Sequence, residues 1–347
     1  MAKRWRQRPD GSTWGDFGED DQIGRLNLLT EEKVLQGVRE VKVGKVFCLS
    51  LPLDLPGGTV LNERRLPPNL SPTTKDGKPY MNFPMSNVNG ASVDVLSDDQ
   101  VTLCLQYSTQ WDGLSHIGAK FDAMDDGNAG MVYYNGYRAG EHILGSHDDE
   151  AGCETGCRHH ASGALRLGIE NYAAKGMQGR GVLIDLVHHL GHGRTLVTYE
   201  HIRRILEEDQ IVIEPGDMLV LRTGFAEAIY EMNGTPDAKV LEHSGAVLDG
   251  TDQALLQWIT TSGISAICAD NYAVEAYPAK TSATQNSLLP LHHHCLFKLG
   301  VPLAELWYLK ELAQWLRDNG RSRFLLTAPP LRLPGAVGSP VTPIATV

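Results

Sequence analysis

A tract of alternating polar and aromatic residues, from Gln106 to His116, contains the side chains best suited to chemistry. On an extended strand Gln106, Gln110 and Asp112 would share one face, because side chains two residues apart point the same way. His116 follows a Gly-Leu-Ser turn that could return its imidazole to the same point. A carboxylate, an imidazole and two carboxamides together form a candidate metal or substrate-polarising site. A surface strand with a solvated polar face fits the same spacing, and spacing alone favours that simpler structure.

Three adjacent histidines, His292 to His294, form a second candidate, with Glu305 further along the chain. Three consecutive side chains cannot converge on one point of a regular element, so one or two of them would act together. A histidine in this apolar segment could join Glu305 and close a metal site from a second part of the chain. A partly buried histidine cluster at the start of a helix explains the pattern equally well.

Two further clusters are weaker candidates. Cys153, Cys157, His159 and His160 have spacings that can hold structural zinc, but no second ligand pair matches them, and a Gly-rich insertion is the simpler interpretation. The segment 188–193, H-H-L-G-H-G, follows an apolar strand, where loops often bind ligands, although a polar turn explains it as well. The chain has no G-x-x-x-x-G-K-[ST], G-x-S-x-G or H-E-x-x-H pattern, so P-loop, α/β-hydrolase and zincin functions have no support.

The elements that would position these residues alternate between strands and helices. The predicted strands are 46–53, 181–187, 218–223, 264–269 and 324–327. The predicted helices are 164–175, 199–208, 251–262 and 309–318, with a short helix capped by Thr30. Several of the strands are almost continuously apolar, which indicates core strands of a mixed sheet covered by helices.

These elements predict one α/β domain that extends over residues 1–347. Residues 1–45 would form an N-terminal arm and helix, and 122–160 a long active-site insertion. The stretch 55–93 has little periodicity and many Pro, Asn and Gly residues, which indicates an extended loop or lid.

The composition excludes several classes of partner and compartment. Lys and Arg total 31 against 42 Asp and Glu, a net charge of −11, so neither nucleic acid nor an anionic membrane is an expected partner. Six cysteines are too few for a disulfide framework in 347 residues. The basic N-terminus continues into Asp-Gly-Ser rather than an apolar stretch, and no apolar run approaches the about 20 residues of a membrane helix. We therefore expect a soluble, cytoplasmic protein.

Four ordered segments of the chain resemble one known family, the metal-dependent cyclases, which include bacterial kynurenine formamidase and isatin hydrolase. Residues 109–116, T-Q-W-D-G-L-S-H, resemble half of the motif H-x-G-T-H-x-D-x-P-x-H. Residues 293–305 resemble the later segment H-x-x-L-L-x-x-G-I-x-I-x-E, with His293 and Glu305 in register. Residues 179–185 and 216–224 resemble the two family strands G-R-G-V-L-x-D and G-D-x-V-L-x-R-T-G. The similarity therefore extends over most of the chain.

The resemblance implies a swivelling β/α/β fold, usually oligomeric, with one or two divalent metal ions. It implies hydrolysis of amide, lactam or related acyl bonds in small cyclic or aromatic molecules. Asp112, His116, His293 and Glu305 occupy positions of family metal ligands or catalytic groups, and Gln110 is a further candidate ligand. His116 stands where the family has a second-metal ligand or a general base, so Asp112, His116 and His293 are the catalytic candidates. The candidate substrate contacts are Gln106, Tyr107, Trp111, Asp270, Asn271 and the loop around Tyr272.

The chain departs from the family motif at three positions. Gln106 and Gln110 replace its first two histidines, and Ser108 replaces the glycine between them. A carboxamide oxygen is a weaker and harder donor than an imidazole nitrogen, so zinc affinity should fall and preference should shift toward Mn²⁺ or Mg²⁺, or only one metal should remain. The predicted cofactor is accordingly a divalent ion, Mn²⁺ or Zn²⁺.

Three functional hypotheses follow. The first is a metal-dependent hydrolase with a small-molecule substrate, working as a homodimer or homotetramer. The second is a metal-independent lyase or cyclase that uses His116 and Asp112 as an acid–base pair. The third is a small-molecule binder without catalysis. Keeping four polar groups in a dry pocket is costly without a ligand, which favours the first hypothesis over the third.

Overall fold

The computed structural model describes residues 3–145, 162–281 and 286–347. The strands in these residues are β1 (Val46–Cys48), β2 (Asn69–Pro72), β3 (Thr74–Lys75), β4 (Lys78–Pro79), β5 (Phe83–Pro84), β6 (Val95–Leu96), β7 (Asp99–Thr102), β8 (Gln110–Asp112), β9 (Ala119–Phe121), β10 (Gly130–Val132), β11 (Ile143–Leu144), β12 (Gly163–Ala164), β13 (Gln178–Asp185), β14 (Thr195–Val197), β15 (Met218–Arg222), β16 (Ala246–Leu248), β17 (Ala266–Ala269), β18 (Leu303–Glu305), β19 (Arg323–Thr327), β20 (Gly338–Pro340) and β21 (Ile344–Thr346). The α-helices are α1 (Glu31–Arg39), α2 (Glu170–Lys175), α3 (Leu186–Leu190), α4 (Tyr199–Glu208), α5 (Phe225–Glu231), α6 (Ala238–Glu242), α7 (Gln253–Ser262), α8 (Pro290–His292) and α9 (Lys310–Asp318). A π-helix, His293–Leu299, continues α8, and short 3-10 helices cover Gly24–Leu28, Met85–Asn87 and Tyr134–Gly136.

One mixed sheet organises the described part of the chain. Its strand order is β1-β21-β19-β13-β15-β17-β18-β8-β20. The four strands β13, β15, β17 and β18 run parallel, and the outer neighbours pair antiparallel. Every residue of β15 and β17 is buried, as expected for apolar runs in the middle of a sheet covered on both faces. The predicted α/β fold, with a swivelling β/α/β-type mixed sheet covered by helices, is confirmed.

The helices confirm most of the predicted boundaries. Thr30 caps α1, accepting a hydrogen bond from the Lys33 backbone N–H at 3.3 Å. The observed α4 has the predicted bounds, and α7 and α9 begin one or two residues later than predicted. The predicted helix over 164–175 is too long, because Gly163 and Ala164 pair with β11 and Leu167 has a left-handed φ of 61°.

The N-terminal arm is held to the body by an aromatic anchor. Trp14 is fully buried, its indole N–H donates to the Phe297 carbonyl at 2.7 Å, and the two rings meet edge to face at 5.2 Å. Because Phe297 belongs to the π-helix that also contains His293 and His294, the arm packs directly against the segment that carries the histidine run.

The two predicted loop regions are 55–93, which is described in full, and 122–160, which is described in part. The stretch 55–93 contains the pair β3–β4, and its strands β2 and β5 pair with β7 and β6, which follow the stretch. Residues 122–145 of the predicted insertion are described, whereas the Cys153, Cys157, His159 and His160 cluster lies outside the described residues. Among the residues that are described, no helix is long and apolar enough to cross a membrane.

Candidate metal centre

Strand pairing brings the two acidic candidates together. In the antiparallel pair of β8 and β18, Gln110 lies opposite Glu305 and Asp112 lies opposite Leu303. Side chains alternate along a strand, so Gln110, Asp112 and Glu305 share one face. All three are buried, with Gln110 and Asp112 fully so. Two carboxylates from distant parts of the sequence therefore meet in the interior.

The histidine that joins them is His292, the last residue of α8. Its Nε2 lies 3.4 Å from Glu305 Oε1 and 3.8 Å from Asp112 Oδ2. Asp112, His292 and Glu305 form the one group of three or more metal-ligand side chains found among the described residues, and their donor atoms lie within 4.8 Å of one another. An imidazole nitrogen with two carboxylate oxygens is a donor set that suits Zn²⁺ or Mn²⁺.

A third carboxylate, that of Glu275, fixes the orientation of His292. It accepts hydrogen bonds from His292 Nδ1 at 2.8 Å and from the backbone N–H groups of Leu291 and His292 at 2.9 and 2.8 Å. With Nδ1 occupied, Nε2 is left to face Asp112 and Glu305. A carboxylate behind a metal-ligating histidine has this role in many metal sites.

The backbone next to Glu275 and Glu305 has unusual features that accommodate these two side chains. A Cβ at Gly250 would lie 2.1 Å from Glu275 Oε2, so only glycine leaves room for that carboxylate. Val274, next to Glu275, has a left-handed φ of 56°, and Leu306, next to Glu305, has a φ of 58°. Left-handed backbone at bulky or branched residues is strained and occurs preferentially at functional sites.

The protonation equilibria of the cluster show strong interaction between its groups. Burial raises the pKa of Asp112, and the nearby Glu305 adds to the effect, although His116 opposes it. Burial also acts to raise the pKa of Glu305, but the hydrogen bond and charge of His292 outweigh it and lower that pKa. Burial disfavours the charged form of His292, yet Glu275 and Glu305 raise its pKa to about 10. The positive charge of protonated His292 stabilises the neighbouring carboxylates. A bound cation would supply that positive charge in its place.

Two buried oxygen atoms of this cluster lack hydrogen-bond partners among the described residues, which tests whether a metal fits. Asp112 Oδ2 and Gln110 Oε1 are both inaccessible to solvent and unpaired among the described residues. The Gln110 Nε2 atom lies 3.3 Å from Asp112 Oδ1 and 3.3 Å from Glu305 Oε2, so this carboxamide bridges the two acids. Unpaired buried oxygens are rare and costly, and a divalent ion would satisfy the carboxylate. The residues present fit a metal.

His293 does not join this cluster, although the family motif places it in register with Glu305. Its half-buried ring packs against Phe297, with the ring centres 4.9 Å apart, and it lines a separate cavity of about 630 Å³. The physical reason is the π-helix that begins at His293, because its wide turn accommodates one more residue between histidine and glutamate than the motif has. The structure therefore brings His292 to the position that the sequence assigned to His293.

His116 lies at the edge of the cluster. Its Nε2 is 3.9 Å from Asp112 Oδ1, and its side chain is 21% exposed. It is thus within reach of both the buried acids and solvent, a position that suits transfer of protons between substrate and water. His116 lies near the predicted point without being part of the three-residue donor group.

Trp111 was predicted to contact substrate, but it points to the opposite face of β8. It is fully buried, donates from its indole N–H to the Ala328 carbonyl at 2.8 Å, and meets Trp307 edge to face at 5.4 Å. Side chains alternate across a strand, so the residue between Gln110 and Asp112 must face away from them.

We expect Trp111→Ala to lower the free energy of unfolding by about 3–5 kcal/mol, because it leaves a large cavity in the core. Urea denaturation followed by circular dichroism measures the change. A variant of unchanged stability but altered KM would show instead that Trp111 contacts substrate.

Three other predicted substrate contacts, Gln106, Tyr107 and Asp270, make contacts within the fold. The Gln106 side chain is half-buried over Gly338, where a Cβ would lie 2.4 Å from Gln106 Nε2. The Tyr107 hydroxyl donates to the Gly58 carbonyl at 2.9 Å. Buried Asp270 accepts hydrogen bonds from the Thr223 and Gly224 N–H groups, and burial raises its pKa to about 7. These bonds give Asp270 a structural role between strands.

Asn271 borders a cavity, and one arginine contacts the start of the tract 106–116. The Asn271 carboxamide donates to the Ala246 and Val274 carbonyls, and the residue borders a cavity of about 440 Å³ with Tyr272 and Phe225. Arg65, in the loop before β2, donates to the Gln106 carbonyl at 2.7 Å. Sequence patterns did not identify Arg65 or Glu275, since each is a single charged residue outside any motif.

Comparisons with known proteins match the chain to one family. A profile of the family described as "Putative cyclase" matches residues 49–276, which include the tract 106–116 and Glu275 but end before His292. A crystal structure of a novel cyclase is 31% identical, with a TM-score of 0.73, and 97% of each chain is covered. No curated protein gives a significant match.

Two isatin hydrolases share the fold at low identity. Isatin hydrolase A from Labrenzia aggregata, bound to benzyl benzoate, is 13% identical over 91% of this chain and 98% of its own, with a TM-score of 0.53. Isatin hydrolase A from Ralstonia solanacearum is 12% identical over 87% and 91% of the two chains, with a TM-score of 0.52.

Proposed function

The chain belongs to the Putative cyclase family, and from this we propose that it is a metal-dependent hydrolase acting on an amide, lactam or related acyl bond of a small cyclic or aromatic molecule. The buried group of Asp112, His292 and Glu305, with its unpaired Asp112 oxygen, is the observation that carries the proposal. Isatin hydrolases with the same fold support the bond type, since isatin is an aromatic lactam.

The chain's own residues would bind a divalent ion and transfer the protons of the reaction. Asp112, His292 and Glu305 would bind the ion, and rotation of the Gln110 carboxamide would offer its oxygen as a further ligand. When bound, Mn²⁺ or Zn²⁺ supplies Lewis acidity toward an acyl oxygen and lowers the pKa of water. Glu275 keeps Nδ1 of His292 occupied, which holds its Nε2 toward the carboxylates.

His116 is the candidate general base and acid. Its Nε2 would accept a proton from the attacking water, and Asp112, 3.9 Å away, would stabilise the imidazolium that results. As the new acyl–oxygen bond forms and the acyl–nitrogen bond breaks, the same Nε2 would return the proton to the leaving nitrogen. The partial exposure of His116 lets it exchange protons with solvent between turnovers.

Metal removal tests the proposal. We expect protein purified without chelator to contain Mn²⁺ or Zn²⁺ by mass spectrometry, and dialysis against EDTA to lower hydrolysis of formanilide or isatin at least about 100-fold. Returning the ion at about 100 times its Kd should restore activity and stabilise the fold by about 2.7 kcal/mol, because the ion binds only the folded state.

The same experiment separates the two alternatives. Activity that EDTA leaves unchanged in metal-free protein would contradict the proposal and favour an acid–base pair of His116 and Asp112. Ligand binding without turnover in both forms would favour a binding protein. His116→Ala should abolish turnover in an enzyme of either kind and leave plain binding largely intact.

A further inference from the structure

Arg65 is a cation beside the metal centre that the proposed chemistry does not use. It lies in the loop between β1 and β2 and is half-buried. Its Nη1 donates to the Gln106 carbonyl at 2.7 Å, at the start of the tract that leads to Asp112. Its guanidinium carbon lies 5.7 Å from the centre of the Tyr272 ring. The contacts with Gln106 and Tyr272, which lie in two separate segments, fix the position of the guanidinium.

The loop that carries Arg65 makes a second contact with Tyr272. Asn62 donates from Nδ2 to the Tyr272 hydroxyl at 3.3 Å, three residues before Arg65. Arg65, Asn62, Tyr107 and Tyr272 border a narrow gap, and Tyr272 also borders the adjoining cavity of about 440 Å³. Aromatic residues, including Phe225 and Tyr277, line that cavity together with the charged Arg194 and Glu242. A planar ring packed against Tyr272 would have Arg65 near it, because Tyr272 borders both the cavity and the gap that Arg65 lines.

Through its contact with the Gln106 carbonyl, Arg65 brings a positive charge to the start of the tract that leads to Asp112. Within residues 3–145, 162–281 and 286–347, however, it makes no ion pair with a carboxylate, and its one side-chain hydrogen bond goes to a backbone carbonyl. Arginine has five N–H donors suited to planar, bidentate recognition of a carboxylate.

A metal ion would change the balance of charge around Arg65. A divalent cation would neutralise the two carboxylates of Asp112 and Glu305, and Arg65 would then be a cation beside a neutral centre. A half-buried cation with free donors and an aromatic neighbour attracts an anionic ligand.

We propose that Arg65 is a specificity-determining residue that binds an anionic group, most simply a carboxylate, on the aromatic substrate of the proposed hydrolase. This inference rests on the proposed function for the reacting bond, but the anion contact itself can be measured without turnover. The predicted substrate class is an aromatic amide that carries a ring carboxylate.

Binding of a matched ligand pair tests the proposal. Formanilide and the three isomers of formamidobenzoate differ only in the ring carboxylate. Calorimetry on Zn²⁺-loaded His116→Ala protein, which should bind them without turnover, gives their Kd values, and chromatography follows hydrolysis by the wild type separately. We expect at least one formamidobenzoate isomer to bind about 10- to 100-fold more tightly than formanilide, as for a charged hydrogen bond. Arg65→Met, made in the same protein and similar in side-chain length, should remove that preference.

Arg64→Met is the matched control, because Arg64 is the exposed neighbour and carries the same charge. It should retain the preference, and the metal content of both variants should equal that of the wild type. Equal affinity of the His116→Ala protein for all four ligands while Arg65 is intact, or equal loss in both arginine variants, would overturn the proposal. A preference that depends on Arg65 without hydrolysis of any ligand would support the anion contact and count against the amide-hydrolase function.

Discussion

Glu305→Gln and Asp112→Asn will each abolish metal binding and reduce kcat/KM by about 10³-fold or more, because a divalent ion supplies several kcal/mol of transition-state stabilisation. Each replacement keeps the shape of the side chain and removes one of the two negative charges that meet across β8 and β18. Metal content after gel filtration and kcat/KM with the metal added back measure the two effects. Glu63→Gln is the control, since Glu63 is exposed in the loop before β2.

The same two variants should differ in the stability of the metal-free protein. The pKa of Asp112 is raised by burial, so its charged form opposes folding above its ordinary pKa, and a neutral asparagine should stabilise the fold at neutral pH. The pKa of Glu305 is lowered by His292, which outweighs burial, so its charged form favours folding and glutamine should destabilise the fold. The midpoints of urea denaturation, measured in EDTA, show whether each variant is more or less stable than the wild type. Two variants that keep their metal, or that lose activity only through unfolding, would contradict the metal centre.

The acidic half of this centre could be predicted from the sequence because it depends on strand periodicity and on ordered motifs. Asp112 and Glu305 each lie on a short strand, and the alternation of side chains places Gln110 and Asp112 on one face before any pairing is known. The same alternation sends Trp111 to the opposite face. A substrate contact for Trp111 is therefore at odds with the alternation that puts Gln110 and Asp112 on one face.

The residues that complete the site depend on contacts that periodicity does not encode. Glu275 reaches His292 because Gly250 leaves space for it and because the backbone at Val274 is left-handed, two features with no sequence spacing of their own. Arg65 comes from a loop without periodicity, so only its contacts with Gln106 and Tyr272 reveal its position. The predicted strands and helices, by contrast, followed from apolar runs and caps and agree closely at α1, α4 and β15.

The choice between His292 and His293 gives the second large effect. A motif fixes a residue count, whereas a π-helix changes how many residues one turn contains, so the count alone cannot say which histidine reaches Glu305. The structure places His292 Nε2 3.4 Å from Glu305 Oε1, while the His293 ring lies against Phe297. The two neighbours therefore serve as matched controls for each other.

We expect His292→Asn to bind the metal with a Kd at least about 100-fold higher than that of the wild type, because it removes the only nitrogen donor of the described three-residue group. Its activity should fall with its metal content. His293→Asn should keep metal content and kcat/KM within about threefold, since His293 lies outside that group. Glu275→Gln should fall between them, with about 10- to 100-fold weaker metal binding, because it still fills the space behind His292 but no longer holds the imidazole as strongly. Metal titration with a chromophoric chelator ranks the three variants. If His293→Asn lost the metal and His292→Asn kept it, the motif count would be correct, and the π-helix would have to unwind by one residue when the ion binds.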